Sequence, residues 1–202
     1  MTEVTDLPRD HVRLHSGARG DVVGDRTLSG LGRITTTVLD PEADLDVLHR
    51  WVTGPGTEFW GLADLDRDEL RDLYAYVDSL PSHHAFLVRR DDEPVALLQT
   101  YDPARDPVGE CYPVQAGDTG VHVLVGGRGT PTPGFTTRLM AAMIDLVLDQ
   151  PGAERIVVEP DVRNQRAITR MRRTGFELGP EIDLPTKQAQ LAFLTREAWE
   201  NP

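Results

Sequence analysis

Residues 118–176 constrain the fold of this chain more than any other stretch. Val121–Val125 is a short apolar run rich in β-branched residues, which predicts a buried strand. A loop rich in glycine, proline and threonine follows, and apolar residues then recur at helical spacing between Leu139 and Leu148. Ile156–Val158 predicts the next strand. Because parallel strands need a long crossover between them, this pattern predicts a parallel pair joined by a helix.

The glycine-rich loop after the first of these strands has two interpretations. Backbone amides in such a loop, and at the N-terminus of the helix that follows, can hold a phosphate group, and the helix dipole favours the anion. The glycine spacing is not that of a dinucleotide-binding fingerprint, and no Gly-Lys-Ser/Thr follows, so neither that motif nor a P-loop is present. On the loop alone, an anion site and an ordinary turn remain equally open.

The segments on either side complete an α+β pattern. The predicted elements are a strand at 33–39, helices at 44–51 and 64–79, a hairpin of strands at 85–88 and 94–100, a second helix of the central unit ending at Gly175, and a terminal hairpin of strands at 181–184 and 189–194. Residues 1–32 are polar and carry little periodicity. They predict a partly flexible N-terminal extension before one domain at 33–202.

Length and charge narrow the class of protein. A chain of 202 residues suits one domain with a substantial core, and a net charge of −12 argues against nucleic-acid binding, which needs lysine and arginine on phosphates. Cys111 is the only cysteine, so no internal disulfide can form. The sequence contains neither an apolar run that could span a bilayer nor a signal-peptide core at its start. We therefore expect a cytoplasmic protein with no membrane partner, as a monomer or a homodimer.

Several short pieces of the chain carry a family resemblance when they are taken together. They are Leu48-His49-Arg50-Trp51 with Phe59-Trp60, Asp118 to Gly126, Val158-Glu-Pro-Asp161-Val-Arg-Asn164, Gly175-Phe176 and Leu184-Pro185-Thr-Lys187. The arrangement resembles the acyl-CoA-binding core of the GNAT acetyltransferase superfamily, over roughly residues 33–197. Within it, the chain is most similar to the acyltransferases of hydroxamate siderophore biosynthesis, of the aerobactin, mycobactin and desferrioxamine type. The resemblance implies a mixed, mostly antiparallel sheet flanked by helices, with a central parallel strand pair and a C-terminal hairpin.

The resemblance also implies where acetyl-CoA or another acyl-CoA binds. Backbone groups of Val123, Leu124 and Val125 would pair with the pantetheine arm where the two central strands diverge. The residues implied at the pyrophosphate and the adjoining helix starts are Gly126, Gly127, Arg128, Gly129, Gly134, Phe135, Thr136 and Asn164. The loop departs from the usual family pattern, because Pro131 and Pro133 remove two amide donors.

Five arginines crowd the last predicted helix of the central unit: Arg163, Arg166, Arg170, Arg172 and Arg173. They form either a solvated helix face or, for one or two of them, a contact with the phosphates of CoA, which suit a planar guanidinium.

His122 and Asp161 are the candidate catalytic residues. Taken alone, a histidine within an apolar strand is a satisfied core residue and an aspartate after a strand is a helix cap. The resemblance implies instead that Asp161 acts as general base and that His122 binds or orients the acceptor, and it leaves open which of them takes the proton. In a partly apolar cleft, we expect the pKa of the Asp161 carboxyl to be raised. The resemblance implies no metal.

Three aromatic residues are candidates for the acceptor pocket. Trp51, Trp60 and Tyr112 either line that pocket or belong to the core, and the sequence leaves both interpretations open. The predicted activity is transfer of an acetyl or other acyl group to a small-molecule amine or hydroxylamine, with an N-hydroxylated lysine, ornithine or diamine as the implied acceptor. The alternatives are a GNAT enzyme for another small-molecule amine or a protein N-terminus, and a non-catalytic acyl-CoA-binding protein.

Overall fold

The computed structural model describes residues 14–127 and 133–201 of the chain, which are built around one eight-stranded sheet. The strands are β1 (Val22–Leu28), β2 (Gly32–Val38), β3 (His83–Arg90), β4 (Glu93–Tyr101), β5 (Asp118–Val125), β6 (Arg155–Val158), β7 (Glu177–Leu184) and β8 (Lys187–Thr195). Their spatial order is β1-β2-β3-β4-β5-β6-β8-β7. The helices are α1 (Leu45–Val52), α2 (Arg67–Ser79), α3 (Phe135–Leu148), α4 (Gln165–Thr174) and α5 (Arg196–Glu200). Neighbouring strands are antiparallel except β5 and β6, as predicted.

The parallel pair of strands separates after a short contact. β5 and β6 pair only from Asp118 with Arg155 to Gly120 with Val157. β5 then runs on to Val125, paired with β4 along its other side. Within the described residues, no strand pairs with the edge of Val121–Val125 that faces β6. The divergence of central strands that the resemblance implied is therefore present, and we call the opening the fork.

Both faces of the sheet are covered, because the strands alternate their side chains between two cores. On β3, Phe86 and Val88 pack into the cluster around α3, whereas Ala85 and Leu87 pack into the cluster under α1 and α2. The helix α3 crosses over between β5 and β6 and is buried along most of its length. The site is thus held between two layers of helices.

Local sequence signals set the helix ends near the fork. The Asp66 carboxylate accepts a hydrogen bond from the Glu69 amide, and the Glu69 carboxylate accepts one from the Asp66 amide, each at 2.9 Å. This capping box begins α2. Asn164 caps α4 by accepting from the amide of Ala167 at 3.1 Å, and Gly175 ends that helix with a φ of 102°. A residue with a side chain would be strained there.

The N-terminal segment is more closely attached than the sequence suggested. Residues 22–28, which were expected in a loose extension, form β1 and pair with β2. Leu31 is fully buried in the core, and the Nε2 atom of His15 lies 3.0 Å from the carbonyl oxygen of Leu146 on α3. The expectation of a loose arm is wrong for this part. The domain boundary at residue 32 stays a prediction.

The terminal hairpin is longer than predicted. Gly179 and Pro180 interrupt the apolar pattern of β7, and its register with β8 shifts between Leu178 and Glu181. A bulge of this kind lets a proline sit in an edge strand. Among the helices in the described part of the chain, none has the length and apolar composition to cross a bilayer.

Candidate active site

A cleft of about 540 Å³ opens at the fork. One wall is the unpaired part of β5, from Val121 to Val125, and the other is formed by residues 159–161 and α4. Phe59 and Trp60 close it from the α1–α2 side. The cleft therefore lies outside the carboxyl ends of two parallel strands, which is where open α/β sheets gather ligands.

His122 contacts Glu159 across the fork. The Nε2 atom of His122 and the Oε1 atom of Glu159 are hydrogen-bonded, and the contact becomes an ion pair when His122 is protonated. Glu159 directly follows β6, and its side chain is only 4% exposed, whereas the side chain of His122 keeps 37% of its surface accessible. The Nδ1 atom of His122 has no hydrogen-bond partner among the described residues. The imidazole is thus anchored at one nitrogen and available at the other.

Two further groups hold the Glu159 carboxylate. The hydroxyl of Tyr101 donates to Oε2 at 2.8 Å, and the Nζ atom of Lys187 lies 3.4 Å from Oε1. Tyr101 reaches this position because Gly120 leaves room for its ring: a methyl group on Gly120 would lie 2.1 Å from the Cζ atom of Tyr101. The glycine of β5 is therefore a packing requirement of the site.

The charges of this cluster shift the pKa values of its members in opposite directions. Burial disfavours the charged form of His122, but the charge and hydrogen bond of Glu159 outweigh it, and the pKa of His122 is raised. Burial also disfavours the Glu159 carboxylate, yet His122, Lys187 and Tyr101 outweigh that effect and lower its pKa to about 2. The pair favours a charged carboxylate beside an imidazole that binds its proton more tightly than in water.

Asp161 is tied to Arg163 rather than held in an apolar setting. The Nε and Nη2 atoms of Arg163 donate to its two carboxylate oxygens at 2.9 and 2.6 Å, and the Arg163 amide donates at 2.8 Å. These bonds lower the pKa of Asp161 to about 2. The expectation of a raised pKa is wrong, because the neighbouring arginine outweighs desolvation. Asp161 lines the cleft, but its carboxylate is a weak base.

Of the three candidate aromatic residues, one lies at the cleft. Trp60 lines it, and its ring meets the ring of His122 edge to face with centroids 6.3 Å apart. Trp51 does not line it: it is 7% exposed and packs against Gly126. Tyr112 also lies elsewhere, with its hydroxyl donating to the buried Asp118 at 2.9 Å. The structure therefore does not place these two at the cleft: Trp51 belongs to the core, and Tyr112 is half-buried and packs against another core cluster.

The residues expected to pair with the pantetheine arm lie along the cleft. Val123, Leu124 and Val125 line the cleft and belong to the unpaired edge of β5, to which an extended ligand can add like a strand. The amides of Gly126 and Gly127 differ from expectation, since both donate to the carbonyl of Val95 at 3.1 Å. In this structure these two amides hold β5 to β4 instead of facing the cleft. Arg128 and Gly129 lie outside the described residues.

The other residues expected to bind the cofactor lie at the N-termini of α3 and α4. Gly134 adopts a φ of 73° as the N-cap of α3, and Phe135 and Thr136 begin the helix, whose first amides have no partner within it. Phe135 is 5% exposed, so its contribution would be its backbone, whereas Thr136 and Asn164 line the cleft. These groups and the unpaired edge of β5 fit an extended ligand with an anionic end.

Of the five arginines around α4, two line the cleft. They are Arg166 and Arg170, and neither has an ionic partner among the described residues. Arg163 pairs with Asp161 and lies over the ring of Phe59, 5.6 Å from its centroid. Arg172 and Arg173 are not part of the cleft lining. Arg166 and Arg170 are therefore the two arginines that remain candidates for binding the phosphates of CoA.

Three polar residues of the site were missed as functional candidates: Glu159, Tyr101 and Lys187. Glu159 carried the same signal as Asp161, a carboxylate directly after a buried strand. Lys187 carried a compositional signal, since it is the only lysine of the chain. Nothing in its own segment marks Tyr101, because its role depends on the ring fitting over Gly120. In the described part of the chain, no three metal-ligating side chains come together, and the absence of a metal stays a prediction.

A family model described as an acetyltransferase (GNAT) domain matches residues 40–184. This covers most of the chain, which therefore belongs to the GNAT acetyltransferase family. The fold, with one parallel pair in a mostly antiparallel sheet, agrees with that assignment.

Three curated relatives are similar to this chain. An N(6)-hydroxylysine O-acetyltransferase of Escherichia coli is 30% identical over 79% of this chain and 51% of its own length. An aminoglycoside N(6')-acetyltransferase type 1 of Klebsiella pneumoniae is 27% identical over 82% of this chain and 85% of its own. The lysine N-acyltransferase MbtK of Mycobacterium sp. (strain MCS) is 25% identical over 81% of this chain and 67% of its own. The chain thus spans about half the length of the first of them.

Solved structures share the fold. An uncharacterized protein of Bacillus halodurans superposes with a TM-score of 0.82 at 20% identity, covering 90% of this chain and 94% of its own. The aminoglycoside acetyltransferase AAC(6')-Ib in complex with coenzyme A superposes with a TM-score of 0.71 at 24% identity, covering 83% and 97%. At these identities the likeness concerns the fold alone.

Proposed function

We propose that this protein transfers an acyl group from an acyl-CoA to an N-hydroxylated amine of small size, such as an N-hydroxylated lysine, ornithine or diamine, as in hydroxamate siderophore or related secondary metabolism. The observation that carries the proposal is the charge state of the cleft. Both of its carboxylates already have cationic partners: Glu159 contacts His122 and Lys187, and Asp161 contacts Arg163.

This arrangement favours a neutral nucleophile over a cationic one. A plain alkylamine arrives at neutral pH as an ammonium ion and needs an unpaired carboxylate. The oxygen of a hydroxylamine withdraws electrons, lowers the basicity of the nitrogen and leaves it uncharged. Because Arg166, Arg170 and Lys187 also line the cleft, a cationic nitrogen at the reacting position would meet like charges there.

His122 is the proposed general base. Its Nε2 atom is held by Glu159, which fixes the ring and leaves Nδ1 for the proton of the acceptor. The raised pKa of His122 makes it a stronger base than free imidazole, and the Glu159 carboxylate stabilises the imidazolium that forms. Asp161 is assigned instead to holding Arg163 and the turn into α4, because its carboxylate binds a proton too weakly.

A bound acyl-CoA supplies an electrophilic thioester, and residues of this chain would place it. The open edge of Val123–Val125 is proposed to bind the pantetheine arm, and the start of α3 with Arg166 and Arg170 to bind the phosphates. Trp60 and Phe59 would exclude water above His122. Acetyl is the proposed acyl group. A cytoplasmic location and a monomeric or dimeric state stay predictions.

Release of free CoA thiol tests the proposal. Acetyl-, succinyl- and malonyl-CoA are each supplied with N6-hydroxylysine, N5-hydroxyornithine and N-hydroxycadaverine, and with the unhydroxylated parents of all three. Turnover that is confined to hydroxylated acceptors and lost in His122→Ala supports it. Equal turnover of the plain amines would assign the protein to acylation of other amines. CoA binding without turnover of any pair would favour a binding protein.

A further inference from the structure

The single lysine of the chain lies in the cleft. The protein has 21 basic residues, and Lys187 is the only one that is not an arginine. Its side chain is 23% exposed at the start of β8, and it lines the cleft. A lysine offers a compact charge with three N–H donors, whereas an arginine offers a planar fork. The chain thus places its only compact cation beside the proposed base.

The ammonium of Lys187 has more hydrogen-bond donors than the described residues use. Its sole ionic partner among the described residues is Glu159, at 3.4 Å, and the same Oε1 atom also contacts His122. One carboxylate therefore serves two cationic groups whenever His122 is protonated. At least one N–H of the ammonium is left for a ligand, and a carboxylate there would accept a charge-assisted hydrogen bond.

We propose that Lys187 binds a carboxylate carried by the substrate pair, an inference that deepens the proposed function and rests on it. His122 and Lys187 contact the same oxygen atom, so the two groups lie within the span of one amino-acid-sized molecule. An α-amino acid acceptor can place its side-chain hydroxylamine at His122 and its carboxylate at Lys187. A dicarboxylic acyl chain offers the same group from the other substrate. A diamine with acetyl-CoA offers none.

The kinetic test compares substrates that differ in this one group. N6-hydroxylysine and N-hydroxycadaverine differ by the α-carboxylate, and succinyl-CoA and acetyl-CoA differ by the acyl carboxylate. We expect the wild type to prefer a carboxylate in one of the two comparisons by about tenfold or more in kcat/KM, as a charge-assisted hydrogen bond provides. Lys187→Met should abolish that preference and Lys187→Arg should retain part of it. Arg50→Met, on the exposed side of α1, serves as the matched control.

The ratio of the kcat/KM values for the two substrates of a comparison separates carboxylate recognition from a general loss of activity. Any effect of Lys187→Met on His122 changes both values alike. A preference in the acceptor comparison assigns Lys187 to the α-carboxylate, and one in the acyl comparison assigns it to the acyl chain. Turnover with no preference in either comparison, or a preference that survives Lys187→Met, would overturn the inference. Absence of turnover with every pair would overturn the proposed function instead.

A binding measurement decides the inference independently of turnover. Biosynthetic labelling with ¹³C-lysine makes Lys187, the only lysine, visible in NMR spectra and keeps its charge and its three N–H donors. In the presence of CoA, N6-hydroxylysine should shift the Lys187 resonance and N-hydroxycadaverine should not. If the acyl chain carries the group, succinyl-CoA should shift it and acetyl-CoA should not. Identical spectra in both comparisons would contradict carboxylate binding.

Discussion

Glu159 binds the imidazole of His122 across the one place in the sheet where two parallel neighbours stop pairing. His122 lies on β5 two residues beyond the last pair, Gly120 with Val157, and Glu159 is the residue that follows β6. The two side chains therefore close the base of the fork. The geometry of the proposed base depends on both strands at once.

Replacing Glu159 by glutamine should move the pH profile. The carboxylate raises the pKa of His122 against the effect of burial, so in Glu159→Gln burial prevails and that pKa falls. Activity requires neutral His122, and we expect the acid limb of kcat/KM to shift to lower pH. The plateau should fall about 100-fold, because the imidazolium loses its counter-charge. Glu154→Gln, at a carboxylate that is 64% exposed, is the control. If the acid limb of the pH profile does not move in Glu159→Gln, Glu159 does not raise the pKa of His122.

The two candidate bases can be separated by substitution. We expect His122→Gln to lower kcat by about 100- to 10,000-fold and to abolish the acid limb of the profile. Asp161→Asn should keep that limb where it is, because the Asp161 carboxyl, with a pKa of about 2, is charged throughout the working range. The measurement is kcat/KM against pH for both variants. Loss of the limb in Asp161→Asn alone would reverse the assignment.

Gly120 should tolerate no side chain. A methyl group there would lie 2.1 Å from the Tyr101 ring, so Gly120→Ala should displace the ring and cost about 1–3 kcal/mol of unfolding free energy. It should also lower turnover, because Tyr101 would withdraw from Glu159. Gly24→Ala is the matched strand control: the closest contact of its methyl group would be the flexible tip of Leu146, at 3.0 Å. Denaturant unfolding measures the difference, and equal costs would argue against the packing requirement.

The buried pair of Arg155 and Asp118 should be a major source of stability. The guanidinium donates to both carboxylate oxygens, at 2.7 and 2.8 Å, and the Asp118 side chain is fully buried. Arg155→Ala leaves that charge without its partner and should cost about 3–5 kcal/mol. Arg19→Ala, at a solvent-exposed pair with Asp78, should leave the unfolding free energy nearly unchanged. Similar urea midpoints for the two variants would contradict the expectation.

Acid should weaken the fold partly through Glu159. Its pKa is about 2 in the folded chain against an ordinary value of 4.5, so its contribution is present above 4.5 and is lost as the pH falls towards 2. We expect the unfolding free energy of the wild type to drop between pH 5 and pH 3, and that of Glu159→Gln to drop less. Denaturant titrations at the two pH values measure this, and parallel losses in both proteins would show that Glu159 does not contribute.

The sequence predicted the central unit well, because its signals are local. The β-branched run at Val121 and the helical spacing of α3 each depend on neighbours in the chain. β1 was not predicted because Asp25 and Arg26 break its apolar alternation. The backbone hydrogen bonds to β2 hold it in the sheet, and these are not visible in the sequence.

The site was predicted only where position along a strand decides it. The positions of His122 within β5 and of Asp161 shortly after β6 agree with the sequence pattern, but the partner of each comes from the folded chain. The pKa of Asp161 depends on how Arg163 folds back onto it, and the role of Glu159 on a contact 37 residues away. Trp51 could not be told from Trp60, because an aromatic residue near a cleft and one beneath it have the same local pattern.

The fork divides the sheet into two blocks of strands, β1–β5 and β6–β8, whose direct ladder is three residues long. An extended ligand lying along Val121–Val125 would act as a splint between these blocks. Substrate loading and mechanical reinforcement would then be the same event, and an acyl-CoA would be for this chain a removable ninth strand.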